Sequence, residues 1–339
     1  MHAAVQALIQ QNALYHPGSF WADATTRIVD EILADGIENF RALPTPLQFF
    51  VPTYGQPGNR LTPEITDALH QCAAQSEFVS IAIEQLTSGY SSAFADYRVL
   101  MASQRQSGQF SLAEFSESLV GNPIEQFVFD GRRYSRSSLN YLLGLAMLQR
   151  HIGSDAISTV VEVGGGFGSL GEILLKTAIN DVRYIDFDLP PNSSISEYYL
   201  SSVFGSERVS GYSPQHGNTK IHVDDLPRAS VFCNWQIEQL IGQADLFVNF
   251  ISFQEMEPDI VANYLEQVDR LQTRWVLLRN MREGKQKRTQ TSIGVQEPVM
   301  GDDYQRMLTK YELVEANVFP FGYRTLDGFH SELQLFRRR

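Results

Sequence analysis

The sequence predicts an α/β protein in which an open, mostly parallel sheet follows a mostly helical amino-terminal part. The first reason is segment 159–176, where a β-branched strand, a glycine-rich turn and an amphipathic helix follow one another. The second is a set of short apolar runs typical of buried strands: 182–187, 230–236, 245–250 and 274–278. The third is a closing pair of extended runs, 312–319 and 331–336, joined by a Pro/Gly-rich turn. This pattern predicts parallel βαβ units that end in an antiparallel hairpin.

The glycine-rich turn is the feature around which the rest of the chain is organised. Val160, Val161 and Val163 favour a buried parallel strand. Residues 164–168 then allow the backbone to approach a ligand without interference from Cβ atoms. The helix that follows directs its free N–H groups towards the same place. Together these residues predict a cofactor site at the end of the strand.

Two classes of cofactor fit this turn. Glu162-x-Gly164-x-Gly166-x-Gly168 resembles the first motif of the class I S-adenosylmethionine methyltransferases. The run from Gly166 to Gly171 also satisfies the G-x-G-x-x-G pattern of dinucleotide-binding folds. Glu162 favours the first interpretation, because a buried carboxylate is costly in an apolar nicotinamide-binding strand.

In the methyltransferase interpretation, Glu162 faces the cationic methionine end of the cofactor, directly or through water. The predicted cofactor is therefore S-adenosylmethionine. Its predicted contacts at the turn are Glu162, Gly164, Gly165, Gly166 and Gly168. A nicotinamide or flavin cofactor and a coincidental glycine turn are the alternatives.

Composition and charge narrow the class of protein. The 339 residues suffice for about two domains, and a hydrophobic content of 43% is ample for a packed core. The net charge of −12 argues against a nucleic-acid substrate, because phosphate backbones require a positive surface. Cys72 and Cys233 have neither metal-ligand nor disulfide spacing. The first residues do not resemble a signal peptide, and no apolar run approaches the ~18 residues of a membrane span. We expect a soluble, cytoplasmic protein.

Residues 1–130 are predicted to form a mostly helical domain, and residues 131–339 a Rossmann-like cofactor-binding domain. Periodicity predicts helices at 22–33, 63–76, 77–86 and 92–104. Gly36 is expected to end the first helix, and the prolines within 43–60 predict irregular structure. Ser111-Leu-Ala-Glu has the signature of a capping box at a further helix. We expect the helical domain to act as a substrate lid or in oligomerisation, for instance in a homodimer.

Segment 127–134 and an apolar helix lead into the glycine-turn strand. The segment is predicted to be extended, with a turn at Asp130-Gly131. Ser138 is expected to open the helix 139–148, which packs on the sheet. One interpretation makes Arg132, Arg133 and Tyr134 surface residues. The other places Tyr134 and one arginine at the entrance of the cofactor site.

Polar residues at later strand ends complete the predicted cofactor site. A carboxylate at the end of the second strand accepts hydrogen bonds from ribose hydroxyls in both cofactor classes, so Asp186 and Asp188 are candidates. Asp188 is favoured, since Asp188-Leu-Pro190 resembles the Asp-Leu-Pro of plant-type small-molecule O-methyltransferases. After the third strand, Asn234 or Gln236 is expected to hydrogen-bond adenine. Trp235 either offers a stacking face there or belongs to the core.

Three further polar groups have a functional and a structural interpretation. Residues 279–288 form a basic loop after the fifth strand, either simply solvated or in contact with an anionic substrate group. Asp224-Asp225 are candidate Mg²⁺ ligands, but adjacent loop carboxylates are commonly just solvated, and we predict no essential metal. His216 and His222 lie in a polar loop and are expected to be exposed.

The chain resembles the bacterial sugar O-methyltransferase family found in glycoside and polyketide biosynthesis clusters. The resemblance runs from about residue 125 to the end. It is carried by 139–142, 162–172, 186–191, 197–200, 249–256 and 328–332, most specifically by Ser252-Phe-Gln-Glu-Met256. It implies a class I methyltransferase sheet of seven strands with the last one antiparallel. It also implies methyl transfer from S-adenosylmethionine to a hydroxyl of a sugar or glycosylated natural product, and a cofactor-site role for Asn249.

Methyl transfer to a hydroxyl requires alignment of the nucleophile, the methyl group and the sulfur, together with a general base. Glu255, just after the fourth strand, and His330, just before the last strand, are the candidate catalytic residues. Transfer to a nitrogen or carbon of a small metabolite is an alternative that needs no hydroxyl-activating base. A cofactor-binding partner protein without its own catalysis is another.

Overall fold

The computed structural model describes residues 1–74, 76–105, 108–153, 156–212, 219–290 and 292–339. Within these residues the amino-terminal helices are α1 (His2–Leu8), α2 (Ala24–Asp35), α3 (Pro44–Phe49), α4 (Pro63–Ala73), α5 (Glu77–Thr87) and α6 (Tyr90–Ala102). The later helices are α7 (Arg136–Leu148), α8 (Ser169–Thr177), α9 (Asn192–Phe204), α10 (Pro258–Arg270) and α11 (Gly301–Met307). The helices predicted near 22–33, 63–76, 77–86 and 92–104 are confirmed within a few residues.

Strands of the described residues alternate with the later helices. The small ladders contain β1 (Phe127–Phe129) with β2 (Arg132–Tyr134), and β6 (Ile221–His222) with β8 (Leu240–Ile241). The large sheet contains β3 (Thr159–Val163), β4 (Arg183–Asp188), β5 (Val209–Ser210), β7 (Ala229–Cys233), β9 (Leu246–Phe250), β10 (Trp275–Met281), β11 (Tyr311–Asn317) and β12 (Ser331–Arg338). Its order is β11-β12-β10-β9-β3-β4-β7-β5.

The topology of the large sheet confirms the predicted fold class. The five inner strands β7, β4, β3, β9 and β10 are parallel, and β12 is antiparallel to both β10 and β11. Without the short β5, the order across the sheet is β7-β4-β3-β9-β10-β12-β11. Numbered along the chain, these seven strands have the order 3-2-1-4-5-7-6. This is a Rossmann-like sheet whose seventh strand is antiparallel to both of its neighbours. The unpredicted β5 adds a two-residue parallel edge beside β7.

The reversal of strand order between β3 and β9 determines where a ligand site lies. From β3 the chain proceeds outward through β4 to β7, and it then returns to β9 on the other side of β3. In open α/β sheets, ligands bind at the carboxyl ends of the strands that flank such a switch point. The glycine turn directly follows β3, and it therefore occupies this position.

Apolar clusters cover the two faces of the sheet. One cluster joins α2, α6, α7 and α8 to the face that carries Val160, Leu246 and Leu277. The other joins α1, α10 and α11 to the face that carries Val161 and Phe247. Helices on both faces explain why the inner strands are apolar throughout rather than alternating. The division into domains at residues 130 and 131 stays a prediction.

Two predictions for the helical part are wrong, one of them only in part. The irregular structure predicted for 43–60 is confirmed over 50–60 but is wrong for 44–49, because α3 begins at Pro44, where a missing N–H group is harmless. Glu31 stabilises this helix start, since its carboxylate accepts the Thr45 N–H at 2.9 Å. The capping box expected at Ser111 does not form: only a short 3₁₀ turn follows, without a side-chain cap.

Two element boundaries also differ from the prediction. The helix expected to open at Ser138 begins at Arg136, because Ser135 is the cap and Ser138 is the third helical residue of a reciprocal capping box. The basic loop expected from residue 279 starts later, since β10 continues to Met281. The extended segment 127–134 with its turn at Asp130-Gly131 is confirmed as the β1–β2 hairpin. In the described part of the chain, no helix is both long and apolar enough to span a bilayer.

Candidate cofactor site at the glycine turn

Three glycines of the turn have backbone conformations that other residues avoid. Gly164, Gly166 and Gly168 have φ angles of +76°, +63° and +89°. A Cβ atom at Gly164 would overlap the Ser252 hydroxyl, and one at Gly165 would lie 2.6 Å from the Asp186 carboxylate. The glycines therefore permit both the tight turn and the close approach of side chains from neighbouring strands.

Asp186 and Asp188 both bind the backbone of this turn. The Gly165 N–H donates to Asp186 at 3.2 Å, and the Gly166 N–H donates to Asp188 at 2.8 Å. The Ser196 hydroxyl donates to the second Asp186 oxygen at 2.8 Å, and the Leu189 N–H donates to the second Asp188 oxygen at 2.6 Å. The two predicted carboxylates therefore fix the conformation of the turn from the adjacent strand.

Glu162 lies in the middle of the sheet and is completely buried. The Tyr141 hydroxyl donates to one carboxylate oxygen at 2.8 Å, and the Tyr184 hydroxyl donates to the other at 2.6 Å. Both tyrosines belong to elements packed against β3, namely α7 and β4. The expected orientation of Glu162 towards a cofactor stays a prediction, and its protein partners are these two hydroxyls.

Glu162, Asp186 and Asp188 form an acidic cluster with no positive partner. Burial raises the pKa of all three carboxyls, and repulsion from Asp186 raises the pKa of the other two further. Among the described residues, no ion pair includes any of the three. Hydroxyl and N–H donors stabilise the charged forms but do not neutralise them. A cation or a set of hydroxyl groups therefore suits this cluster, whereas an anion does not.

The loop after β7 places its three predicted adenine contacts differently. Asn234 donates to the Tyr15 carbonyl at 2.9 Å and to the Tyr264 hydroxyl at 3.1 Å, while its own carbonyl oxygen is buried without a partner. Gln236 accepts the Cys233 N–H at 3.1 Å. Trp235 lines a cavity of about 420 Å³, together with Gln11, Asn12, Tyr15, Lys220, Glu238, Gln239 and Ile241. Of the three, only Trp235 lines this cavity.

Hydrogen bonds of the Asn249 side chain connect the end of β9 with the end of β3 and with the turn after β9. The Asn249 amide donates to the Val163 carbonyl at 2.9 Å, and its oxygen accepts the Phe253 N–H at 3.1 Å. Between them Ile251 has a φ of +71°, which is strained for a β-branched residue. Such strain persists only where surrounding contacts enforce it, and it is concentrated at functional sites.

Tyr134 does not lie at an entrance, and this prediction requires correction. Its side chain is completely buried, with ring centroids 5.4 Å from Tyr97 and 6.2 Å from Phe129. Its hydroxyl has no hydrogen-bond partner within the described part of the chain. Because β2 pairs with β1 under α6, the ring packs in an aromatic cluster rather than facing a ligand site. Arg132 and Arg133 are partly exposed.

The two candidate catalytic residues lie in different surroundings. Glu255 is buried, and its oxygens accept the Trp21 indole N–H at 3.2 Å and the Lys285 ammonium at 3.1 Å. Burial raises the pKa of Glu255, and Lys285 and Trp21 oppose this shift. His330 instead accepts the Thr325 N–H at 3.2 Å, while its backbone N–H donates to Glu283. No hydrogen bond among the described residues joins Glu255 to His330.

Several residues near the site carried no recognisable sequence signal. Phe50, which follows α3, lies 3.7 Å from the position that a Gly166 Cβ would occupy, and it covers the turn. Trp21 and Lys285 hold Glu255, and the Lys285 ammonium lies 4.3 Å from the centre of the Phe20 ring. Tyr141 lies within the segment 139–142 that carried the family resemblance, but its contact with Glu162 could not be read from it.

The remaining polar candidates do not converge on a site. Asp224, Asp225 and His222 are exposed, and His216 lies outside the described residues. Over the described parts of the chain, no three His, Cys, Asp or Glu side chains are arranged to hold a metal ion. The prediction of no essential metal stays a prediction.

No model of a known protein family matches the sequence, and no curated protein matches it either. Solved structures that resemble the chain include magnesium protoporphyrin IX methyltransferase from Synechocystis with bound SAH. That likeness has 11% identity over 60% of this chain and 84% of the other, with a TM-score of 0.41. The 1,6-didemethyltoxoflavin-N1-methyltransferase from Burkholderia thailandensis has 15% identity over 59% and 78%, also with a TM-score of 0.41. An S-adenosylmethionine-dependent methyltransferase from Clostridium acetobutylicum has 10% identity over 57% and 89%, with a TM-score of 0.38.

Proposed function

We propose that this protein is an S-adenosylmethionine-dependent methyltransferase that acts on a small molecule. The observation that carries the proposal is the acidic cluster, Glu162, Asp186 and Asp188, which lies without a positive partner beside the glycine turn at the switch point of the sheet. The methionine end of the cofactor carries a sulfonium and an ammonium, and its ribose carries two hydroxyls. These groups match what three buried carboxylates require.

The residues divide between the parts of the cofactor. Asp188, at the end of β4 and slightly exposed, is the proposed ribose ligand. Glu162 and the glycine turn are proposed for the methionine end, and Trp235 with Asn234 and Gln236 for adenine. When bound, the cofactor supplies an activated methyl group, and the protein contributes alignment and exclusion of water.

We propose a hydroxyl of a sugar or glycosylated natural product as the acceptor and Glu255 as its general base. Glu255 is the last residue of the 3₁₀ turn that follows β9, and Ser252 of the same turn lies against Gly164. Its desolvated carboxylate has a raised pKa, which suits proton removal near neutral pH. The Lys285 ammonium, 3.1 Å from the carboxylate, opposes this shift of the pKa. His330 is the alternative general base. Methyl transfer to a nitrogen or carbon atom would require neither Glu255 nor His330 as a base.

Calorimetric titration with S-adenosylmethionine, S-adenosylhomocysteine and NAD(H) tests the cofactor assignment. The wild type is expected to bind the first two compounds, and Gly166→Arg to lose both. Gly131→Arg is the matched control, because Gly131 has a φ of +76° but open space around its Cβ position. This control is expected to bind as the wild type does. Binding of NAD(H) alone would make the G-x-G-x-x-G pattern the correct interpretation.

Initial rates of S-adenosylhomocysteine formation with a panel of sugars and glycosides test the base. Glu255→Gln is expected to lower kcat by about 10²-fold or more and to remove the acidic limb of the pH profile. Lys285→Met removes the same ion pair but keeps the carboxylate, and it should retain that limb. Unchanged kcat in Glu255→Gln would favour His330 or transfer to nitrogen or carbon.

A further inference from the structure

Arg279 is a buried guanidinium that lacks a carboxylate partner. It lies near the carboxyl end of β10, and only 4% of it is exposed. Its Nε donates to the Ser331 hydroxyl at 3.1 Å, and its Nη1 donates to the Asn140 carbonyl at 3.3 Å. Both acceptors are uncharged, and no ion pair of the described residues includes Arg279. Burying an unpaired charge costs free energy, and a buried, unpaired Arg279 therefore indicates a functional role.

No described carboxylate lies close enough to Arg279 to form an ion pair with its guanidinium. The negative charge of Asp96 has the largest favourable effect on the pKa of Arg279, but the Asp96 carboxylate accepts its hydrogen bond from the Tyr54 hydroxyl, at 2.5 Å. Arg136 adds a second guanidinium from the start of α7 and donates to the Thr53 carbonyl. The Glu125 carboxylate, which acts on Arg136, accepts the N–H groups of Tyr54 and Gly55. Asp96 and Glu125 therefore each accept a hydrogen bond from a donor other than Arg279.

A second observation places Arg279 beside the proposed reaction centre. Arg279 pairs with Phe250 across β9 and β10, and the Phe250 ring stacks on Tyr141 with centroids 4.7 Å apart. Tyr141 in turn binds Glu162 of the acidic cluster. The Arg279 carbonyl also accepts the N–H of the strained Ile251 at 2.7 Å. Arg279 thus lies near the carboxyl end of β10, next to β9, and ligands bind at the carboxyl ends of the strands in open α/β sheets.

We propose that Arg279 binds an oxyanion of the acceptor, a carboxylate or a phosphate. A guanidinium recognises either group through paired N–H donors and cannot release its proton to escape burial. The assignment of this oxyanion to an acceptor rests on the proposed function. Binding by Arg279 would limit the acceptors to anionic small molecules such as sugar acids or sugar phosphates. The acidic cluster then attracts the cationic end of the cofactor, while Arg279 attracts the anionic end of the acceptor.

Binding of inorganic phosphate and of acetate, measured by calorimetry against chloride at equal ionic strength, tests the proposal. Wild-type protein is expected to bind one of the two oxyanions, and which one it prefers distinguishes phosphate from carboxylate acceptors. Arg279→Gln should weaken that binding at least tenfold, and Arg279→Lys should restore part of it. Arg282→Gln removes the same charge three residues further on, from an exposed side chain paired with Glu283, and should change nothing.

Ser331→Ala separates binding from a merely structural role. This variant removes a hydrogen bond of Arg279 but keeps its charge, so it should lower stability while phosphate or acetate binding persists. Equal oxyanion binding by wild type and Arg279→Gln, or binding no stronger than that of chloride, would overturn the proposal. Titration of the same samples with S-adenosylhomocysteine tests the proposed function separately, because Arg279 has no role in holding the cofactor.

Discussion

Two groups of buried carboxylates in this protein have partners of opposite kinds. In the first group, which we name the paired network, Glu117 contacts Arg41 at 3.0 Å and Glu172 contacts Lys176 at 2.6 Å. In the acidic cluster, the described hydrogen-bond donors to Glu162, Asp186 and Asp188 are tyrosine and serine hydroxyls, backbone N–H groups and the Asn192 side chain.

The difference between the groups indicates their roles. The paired network neutralises each carboxylate internally, and it joins the helical region to α7 and α8 through the Ser135 hydroxyl and the Ser118 N–H. The acidic cluster is hydrogen-bonded but has no cationic partner among the described residues, and it lies at the edge where the sheet binds ligands. We interpret the first as structural and the second as incomplete without a cationic ligand. The following changes test this contrast.

The largest effect is expected in the paired network. Arg41→Met leaves Glu117 buried without a cation, which should lower the free energy of unfolding by about 3–5 kcal/mol. Arg41 is only 1% exposed, so water cannot replace the guanidinium without opening the core. Urea unfolding followed by circular dichroism measures the loss. Arg41→Met combined with Glu117→Gln should recover part of it, and an equal loss in the double variant would contradict the charge argument.

Lys176→Met is expected to have a smaller effect in the same network. Lys176 is one-third exposed, whereas Glu172 is completely buried and also accepts the Tyr199 hydroxyl and the Ser118 N–H. These donors remain after the substitution, so the loss should be about 1.5–3 kcal/mol, the value of one charge-assisted hydrogen bond. Urea unfolding at high and low salt provides the check. A loss as large as that of Arg41→Met would mean that the other donors do not stabilise Glu172.

In the acidic cluster, Glu162→Gln should behave in the opposite way. A glutamine can still bind the Tyr141 and Tyr184 hydroxyls, and it removes one of three repelling charges. At pH 7 the unfolding free energy should therefore remain within about 1 kcal/mol of wild type. Calorimetric affinity for S-adenosylmethionine should fall at least tenfold. A large loss of stability with unchanged affinity would assign Glu162 to the structural group instead.

The pH dependence of stability sharpens this prediction. Because burial and repulsion raise the pKa of Glu162 and Asp188, the folded protein binds their protons more tightly than the unfolded chain. Wild-type stability from these groups is then highest below the ordinary carboxyl pKa of about 4 and falls as pH rises towards the raised values. Glu162→Gln should fall less steeply over that range. Urea unfolding at several pH values compares the two, and parallel curves would contradict the raised pKa.

The sequence predicted those parts of the site that depend on local patterns. The glycines, Asp186 and Asp188 were found because a turn and two strand ends have short-range signatures, and adjacent parallel strands bring their carboxyl ends together. The partners of the acidic groups were not found. Trp21 and Glu255 are 234 residues apart in the chain, and Lys285 and Glu255 are 30 apart. No periodicity or spacing connects such residues, because tertiary packing alone places them in contact.

Similar limits explain the errors within the elements. Tyr134 ends a short strand near polar residues, which favours an exposed position, but it is buried against the rings of Tyr97 in α6 and Phe129 in β1. The proline-rich segment 43–60 contains α3. Its prolines Pro44 and Pro46 lie in the first turn of this helix, where proline is tolerated. The expected parallel sheet with its last strand antiparallel is confirmed, whereas the strand order and the contacts between the helical region and the strand ends required the structure.

The smallest effect is expected at an exposed ion pair, which serves as the baseline for the comparison. Arg132 contacts Glu114 at 2.5 Å, but Glu114 is 69% exposed, and solvent screens the pair. Arg132→Ala should lower the free energy of unfolding by no more than about 0.5 kcal/mol, and 1 M salt should remove most of that difference. Urea unfolding at 0.05 M and 1 M salt measures both quantities. A loss comparable to that of Arg41→Met would show that the geometry of a pair, rather than its burial, determines its contribution in this protein.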